Sequence, residues 1–425
     1  REFSSFIRND EQITTLISVL NQTCENNISL IPYACHILHQ IAYKYDDTTI
    51  LSPTLFDEQH FEEYWTIINH FLSKAQTLRI FIFSFNTLSL FVRFVPSQQI
   101  GVLGPILERF KSIIAETLSP QCTYPPDAIP HIQQTMIYLL PPILQRLAME
   151  HVELPNIDEI IKLLFALSQK QEIYEEVLYD FSAIIRILKN NFAPYLPMLM
   201  EVLLVMIKTQ NSLIIRKACL VLSDLFLNLG SLMNEYADPV FKYLVQIISN
   251  NPNDRELILT VGTTLADIIQ KVPLPLEHKQ QFSTILQQLG NLLSIKIKID
   301  VPKEERQIIL RYFHLLFYGY REIIMSSLPD PTSDIRSINY KSLFAPMLMS
   351  FISLDISFYD SDTFQAFLYF LMSLADLYAN QPVVIISLNN QRFRNYLKQA
   401  EQYPGFKPYI YSLIKSTKFK LQNSH

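Results

Sequence analysis

Apolar residues recur at helical spacing along most of the chain. One such segment contains Ile157, Ile160, Ile161 and Leu164, and this spacing places all four on one face of an α-helix. No segment shows the strict alternation of apolar and polar residues that is typical of a half-buried strand. Clusters of proline and asparagine, such as residues 250–253 (NNPN), interrupt the pattern and indicate where helices end. The pattern therefore predicts an all-α protein.

The predicted helices come in pairs that repeat every ~40–47 residues, the period of HEAT repeats. The nine predicted pairs are 10–22 with 28–45, 59–73 with 76–96, 99–118 with 127–148, 156–168 with 173–188, 191–208 with 212–229, 231–249 with 254–271, 275–297 with 303–325, 342–355 with 363–379, and 392–402 with 406–418. Each pair can bury its apolar faces only against its neighbours. We therefore predict a single HEAT-repeat superhelical solenoid over residues 1–425, and we interpret the start at Arg1 as that of a C-terminal fragment.

A short motif recurs late in the second helices of three pairs. In each copy an Asp follows a small residue and precedes a branched apolar one, at Asp224, Asp267 and Asp376. The first two lie 43 residues apart, which is one repeat. A small residue lets neighbouring helices approach, and the carboxylate can accept hydrogen bonds from the next repeat. We predict that these residues tie repeat to repeat and do not contact a ligand.

The scarcity of glycine excludes several classes of enzyme. The chain has 7 Gly among 425 residues, and none belongs to a GxGxxG or Walker phosphate-binding loop. His36 and His39 can share a helix face, but no third metal ligand lies nearby in the sequence. The four cysteines have neither metal-site nor disulfide spacing. We therefore predict a binding protein without catalytic residues, cofactor or metal.

Charge and hydropathy weigh against nucleic acid and membranes as partners. The net charge is −5 and the pI is about 6.0, whereas nucleic-acid-binding domains are usually basic. The most apolar stretch, Ile80–Val92, has 13 residues without a charge and is bounded by Arg79 and Arg93. A membrane-spanning helix needs about 18 or more apolar residues, so this run predicts a buried helix and not an inserted one.

Acidic residues are concentrated in the first half of the chain. Residues 1–200 contain 13 Lys and Arg against 21 Asp and Glu, whereas residues 201–425 contain 22 against 19. Second helices line the concave face of a solenoid, and five acidic residues fall near the starts of two of them. These are Glu175, Glu176, Asp180, Asp254 and Glu256. One interpretation is an acidic lining that holds a basic peptide or helix; the other is a set of solvated acids that stabilise helix starts.

Three segments resemble the importin beta (karyopherin-beta) family of nuclear import receptors. They are residues 132–147 (IQQTMIYLLPPILQRL), 192–207 (FAPYLPMLMEVLLVMI) and 214–229 (IIRKACLVLSDLFLNL). The helices that carry Asp224, Asp267 and Asp376 fall where this family has Gly-Asp-Leu or Gly-Asp-Ile helices. The order of pairs is similar to that in the C-terminal half of the family, which ends in a comparable Lys-rich helix.

The resemblance implies specific partners. In this family the inner helices wrap the basic importin-beta-binding helix of the adaptor importin alpha, or basic cargo, and the outer helices bind Phe-Gly repeats of nucleoporins. The GTPase Ran docks mainly on the N-terminal half, which this chain lacks. The implied location is the cytoplasm, the nucleus and the nuclear pore. One departure is His36, which replaces a Trp that follows the family's equivalent of Cys35.

The resemblance also implies a groove for Phe-Gly repeats between two outer helices. Five apolar or aromatic residues on the predicted helices 191–208 and 231–249 are candidates for its lining: Phe192, Tyr195, Leu199, Tyr236 and Phe241. The alternative is full burial of these side chains between repeats. A different function, that of a HEAT-repeat scaffold similar to a phosphatase scaffold, also stays open on the sequence.

Overall fold

The structure, a computed structural model, describes residues 10–46, 58–152, 154, 157–170, 173–297, 305–328, 340–379, 381, 384, 388 and 390–423. Within these ranges the chain consists of α-helices, short 3-10 segments and turns, without a strand. The contacts divide it into two compact units, Arg1–Met206 and Ile207–His425.

The described part of unit 1 contains nine helices in sequence. They are α1 (Asp10–Asn26), α2 (Ile31–Asp46), α3 (Glu58–Ser73), α4 (Leu78–Phe91), α5 (Leu103–Leu118), α6 (Ile129–Met149), α7 (Ile157–Leu167), α8 (Tyr174–Leu188) and α9 (Leu196–Ile207), whose last residue lies beyond the boundary of the unit. The even-numbered helices contact one another in order, from α2 through α4 and α6 to α8. They form a continuous layer of second helices, against which the first helices α1, α3, α5 and α7 pack.

Unit 2 repeats this arrangement. Its helices are α10 (Ser212–Leu229), α11 (Asn234–Asn250), α12 (Arg255–Lys271), α13 (Leu276–Ile297), α14 (Arg306–Ser327), α15 (Tyr340–Phe351), α16 (Ser361–Leu377), α17 (Gln391–Gln402) and α18 (Pro408–Asn423). The second helices again contact one another in order, from α10 through α12, α14 and α16 to α18. Each predicted pair thus corresponds to two helices, and the predicted all-α HEAT-repeat solenoid is confirmed.

Polar caps explain several helix starts. Thr77, Asn211, Asp254, Asp360 and Asn390 each accept a hydrogen bond from a backbone N–H in the first turn of the helix that follows. Such a cap satisfies one of the N–H groups that a helix start leaves without a partner. The polar residues between apolar segments therefore fix where these helices begin.

Two glycines are required by close helix packing. A Cβ atom on Gly262 of α12 would lie 2.7 Å from Cδ2 of Leu315 on α14, and a Cβ on Gly319 of α14 would lie 2.9 Å from Cδ1 of Leu286 on α13. Real Cβ atoms hardly ever come that close to a neighbour. The few glycines of this chain thus include two that let helices approach each other.

Helix α6 continues through two adjacent prolines. Pro141 and Pro142 are both buried inside it. Proline has no N–H, so the carbonyl of Tyr138, four residues before Pro142, loses its partner within the helix. The hydroxyl of Ser89 on α4 donates a hydrogen bond to this carbonyl at 3.1 Å. A neighbouring second helix thereby satisfies the group that the proline leaves open.

Among the described residues, one stretch is long and apolar enough to cross a membrane by length and composition alone. It is Glu176–Ile207, and 39% of its most apolar window is buried in the protein. The stretch combines α8 and α9 with the 3-10 segment Lys189–Tyr195 between them. Lys189 has a φ of 48°, which ends α8, so two packed helices and not one straight helix form this stretch.

Candidate partner-binding surfaces

The three repeated aspartates lie in the layer of second helices in unit 2. Asp267 of α12 accepts a hydrogen bond from the hydroxyl of Tyr318 on α14 at 2.6 Å. Asp376 of α16 accepts one from Nζ of Lys420 on α18 at 2.6 Å, and Asp224 of α10 is buried. The prediction that these residues tie repeat to repeat is confirmed for Asp267 and Asp376.

Burial also changes the acidity of Asp267. The side chain is 4% exposed, and loss of hydration raises its pKa to about 6, although the bond from Tyr318 works in the opposite direction. Next to Asp224, the hydroxyl of Ser223 donates to that of Thr264 at 3.0 Å. Thr264 in turn lies 3.1 Å from the carbonyl oxygen of Cys219. Successive second helices are therefore joined by side-chain hydrogen bonds as well as by apolar contacts.

The acidic residues predicted on α8 have different environments. Glu175 lies in the first turn, and its side chain is outside the part that the structure describes. Glu176 is half-buried and accepts a hydrogen bond from Nε2 of Gln134 on α6 at 2.8 Å. Asp180 is fully buried, and no hydrogen-bond partner for its carboxylate is found among the described residues. Burial raises the pKa of Asp180 well above its usual value, so Asp180 belongs to the core and cannot line a ligand surface.

The acidic residues predicted on α12 take part in contacts within the protein. Asp254 caps the helix, accepting from the N–H of Leu257 at 3.0 Å. A hydrogen bond from Ser212 is the main cause that lowers its pKa. Glu256 forms an ion pair with Arg311 of α14 and lies 3.5 Å from Nη1 of Arg216 on α10. Asp254 therefore fits the interpretation of a helix-start acid, whereas Glu256 connects three second helices.

The acidic excess of unit 1 lies on its first helices. By sequence, α1, α3, α5, α7 and α9 together contain eleven Asp and Glu against three Lys and Arg. The second helices α2, α4, α6 and α8 contain four of each sign. The acidic first half of the chain therefore does not give the second helices of unit 1 a net negative charge, because first and second helices alternate along the sequence.

The side chains predicted to line a Phe-Gly groove are mostly buried. Phe192, Leu199 and Phe241 are each 0% exposed, so they belong to the core. Tyr195 and Tyr236 are half-buried. The phenol of Tyr195 donates a hydrogen bond to Asp158 of α7, and this bond raises the pKa of Tyr195 to about 12. Of the five candidates, only the two tyrosines have surface that a partner can reach.

A groove between the first helices α5 and α7 was not predicted from the sequence. It has a volume of about 470 Å³ and is lined by Glu108, Lys111, Ser112, Ala115, Glu159, Lys162 and Leu163. Nζ of Lys111 bridges the two helices, at 2.9 Å from Glu108 and 2.8 Å from Glu159. Periodicity gives no signal for such a groove, since it depends on how far apart two successive first helices lie.

Within the described ranges, no three His, Cys, Asp or Glu side chains are gathered as metal ligands would be. The surfaces that remain are the layers of first and second helices in each unit. Taken together, these layers define the class of protein as an α-solenoid of HEAT repeats.

Comparison with known proteins identifies the family. Residues 15–380 match the profile of the family described as importin subunit beta-1-like, TPR repeats, and the chain belongs to this family. A comparison with curated protein sequences gives no significant match.

Solved structures of this family share the fold. A crystal structure of importin beta from a polyethylene glycol condition has a TM-score of 0.80 at 17% identity, over 96% of this chain and 49% of that chain. Yeast importin-beta (Kap95p) has a TM-score of 0.73 at 15% identity, and the match covers 93% of this chain and 45% of that chain. The Kap95:Nup1 complex matches with a TM-score of 0.71 at 15% identity, and the match covers 96% of this chain and 47% of that chain. The chain therefore spans about half the length of the structures that it matches.

Proposed function

We propose that this chain is part of a nuclear transport receptor, which holds a protein partner on its second helices and nucleoporin Phe-Gly repeats on its first helices. The observation that carries the proposal is the family match over residues 15–380. The fold supports it, because in each unit two layers of helices offer extended surfaces. The receptor acts between cytoplasm and nucleus, and Ran binds mainly to a part of it that lies outside this chain.

For the second helices of unit 1, the proposed partner is the basic importin-beta-binding helix of importin alpha or a basic cargo. Glu175 and Glu176 at the start of α8 are its proposed contacts. Charges at the rim of an interface act mainly on the association rate and on salt dependence. Binding is therefore expected to weaken as salt rises from about 50 to about 300 mM, because the Debye length shortens over that range.

Calorimetry with the importin-alpha helix and with a scrambled peptide of equal charge tests this proposal. Replacement of Glu175 and Glu176 by Gln is expected to weaken binding several-fold. Glu62 and Glu63 offer a matched control, because they are an adjacent pair on the first helix α3. Equal binding of both peptides, or equal effects of the two double variants, would contradict a basic-helix site on α8.

For the first helices, the proposed partner is a Phe-Gly repeat. One solved structure with the same fold is the Kap95:Nup1 complex, which supports a nucleoporin as partner. In this chain the groove between α5 and α7 has Leu163 and Ala115 in its lining. A Phe side chain can pack on these two residues while the bridge at Lys111 holds the groove open. Tyr195 and Tyr236 are further proposed contacts for a Phe-Gly repeat.

Pull-down with a Phe-Gly peptide and a matched Ser-Gly peptide tests the groove. The variant Leu163→Gln is expected to reduce capture by the Phe-Gly peptide, because it places a polar group where the ring would pack. Leu213→Gln is the control, since Leu213 is an exposed leucine on the second helix α10. Capture that depends on Leu213, or on neither leucine, would remove the groove between α5 and α7 from the proposal.

A further inference from the structure

The second helices of unit 2 present an excess of accessible positive charge. By sequence, α10, α12, α14, α16 and α18 contain ten Lys and Arg against six Asp and Glu. All ten cations are at least partly exposed, whereas Asp224, Asp267 and Glu322 are buried. Only three acids, Glu256, Asp362 and Asp376, remain accessible on these helices. The layer is therefore electropositive toward solvent, although the whole chain carries a net charge of −5.

The densest part of this charge surrounds Glu256. Arg216, Arg255 and Arg311 come from three successive second helices, and Arg216 and Arg311 both face the same carboxylate oxygen of Glu256. Arg255 and Arg311 also act electrostatically on the phenol of Tyr312. Asp254 is the other acid within reach of Arg216, but its carboxylate already caps α12.

Arg216 lacks the acceptors that its guanidinium requires. Its Nε is buried and has no hydrogen-bond partner among the described residues. Its Nη1 lies 3.5 Å from Glu256, which is beyond ordinary hydrogen-bond length. A guanidinium has five N–H donors in a planar fork that matches a carboxylate. The cluster of Arg216, Arg255 and Arg311 is here called the arginine cluster. It can bind a further carboxylate through its accessible N–H groups, because the side chains of Arg216 and Arg311 are 30% and 45% exposed.

Large apolar side chains are exposed on the same helices. Leu220 of α10 is 47% exposed, Met325 of α14 is 42% exposed and Tyr369 of α16 is 37% exposed. A partner that lies on this layer meets apolar surface as well as cations. That combination fits a protein segment better than a nucleic acid.

We propose that the second helices of unit 2 bind an acidic peptide segment that also carries large apolar side chains, with the arginine cluster receiving its carboxylates. The segment belongs to a protein partner, and its charge is opposite to that of the basic adaptor helix proposed for α8. This binding depends on the second helices acting as a partner surface, as in the proposed function, but it does not require a basic partner elsewhere.

Fluorescence anisotropy with synthetic peptides tests the proposal on the full chain. A labelled peptide that repeats Glu-Glu-Leu is expected to bind more tightly than one that repeats Lys-Lys-Leu or one that contains glutamate alone. A single-stranded oligonucleotide of equal charge is the fourth probe. Stronger binding of the basic peptide would overturn the proposal, and equal binding of the oligonucleotide would overturn its assignment to a peptide.

Two variants with opposite expected effects separate binding from misfolding. Replacing Arg216 and Arg311 by Gln is expected to weaken binding of the Glu-Glu-Leu peptide about tenfold or more. Glu256→Gln is expected to tighten it, because the two arginines lose their shared carboxylate. Arg392 and Arg394, exposed on the first helix α17, serve as the matched double replacement by Gln and should leave binding unchanged.

The outcome distinguishes this inference from the proposed receptor function. If the importin-alpha helix binds and the acidic peptide does not, the receptor function stands and the acidic site is wrong. If neither arginine variant differs from the α17 control, the arginine cluster is not the binding site. If the acidic peptide binds and the importin-alpha helix does not, the unit 2 surface stands without the basic-helix site.

Discussion

At the scale of single residues, a proline on one helix is compensated by a serine on another. Ser89 supplies the hydrogen bond that Pro142 cannot give to the carbonyl of Tyr138. This bond is exposed, so water can partly replace the serine hydroxyl, and a hydrogen bond of this kind contributes about 0.5–1.5 kcal/mol net. This pair shows that the defect created by a residue in one repeat can be corrected by its neighbour.

Removing the serine is expected to cost less when the proline is also removed. Ser89→Ala should lower the free energy of unfolding by about 1 kcal/mol, because the carbonyl loses its donor. In a Pro142→Ala background the restored N–H can bond within α6, so the same change should cost clearly less. Urea denaturation of the four proteins measures the coupling. Ser112→Ala is the control, since its hydroxyl bonds within its own helix; additive effects would contradict the compensation.

Protonation of Asp267 is expected to affect stability between pH 4 and pH 6. Its pKa is about 6 in the folded chain and about 3.9 in an unfolded one. The folded chain therefore binds more protons in this range, and its free energy of unfolding falls as pH rises. The whole effect is about 2–3 kcal/mol. Asp267→Asn keeps an acceptor for Tyr318 and should flatten the dependence of the urea midpoint on pH; parallel curves would contradict the role of Asp267.

At the scale of elements, hydrophobic spacing predicted where the helices lie to within a few residues. The predicted helix 254–271 corresponds to Arg255–Lys271 behind the cap at Asp254. One clear difference lies at 191–208, where the structure has a 3-10 segment up to Tyr195 before α9. Lys189 with positive φ and Pro194 inside the segment explain this difference. The spacing of apolar residues predicts which side of a helix is buried, but it does not distinguish a 3-10 turn from the start of an α-helix.

The candidate sites were harder to predict for a related reason. Asp180 and Phe192 are buried because other helices pack over them. The local sequence pattern does not indicate which helix will cover a given residue. Charge sums over the two halves of the sequence cannot assign acids to a layer either, since first and second helices alternate within each half of the chain. The ties made by Asp267 and Asp376 were predicted correctly, because a motif that recurs late in the second helices implies contact with a neighbouring repeat.

The cap of α12 offers a test at the scale of one helix. Asp254→Ala should lower the free energy of unfolding by about 1 kcal/mol, because the N–H of Leu257 loses its acceptor. Asp254→Asn keeps an acceptor and should cost much less. Urea denaturation at pH 7 compares the two variants. Equal losses would indicate that the negative charge, and not the cap, stabilises this helix start.

At the scale of the whole molecule, each helix pair depends mainly on its neighbours. Phe367 of α16 illustrates this, as its ring lies 4.2 Å from that of Phe351 and 5.3 Å from that of Phe317, measured between ring centroids. All three rings belong to unit 2 and to adjacent helices. A solenoid of this kind responds to damage locally.

Phe367→Ala tests how far such damage spreads. The cavity should cost about 3–5 kcal/mol, and hydrogen exchange should accelerate in α14, α16 and α18. Exchange in α2, α4 and α6 should stay unchanged, because contacts between neighbours are the only coupling in a solenoid. The conservative variant Phe367→Leu should show the same pattern with a smaller loss. A uniform acceleration along the chain would contradict local stability.

The sequence separation between hydrogen-bonded second helices also sets how long each helix waits for its partner during synthesis. Ser223 and Thr264 are 41 residues apart, and Tyr318 follows Asp267 by 51 residues. Ribosomes add about 5–20 residues per second, so each second helix emerges about 2–10 s before the helix that covers it. During that interval its polar side chains must rely on water and its apolar face stays open. The growing end of this protein is therefore the part that a chaperone would have to protect.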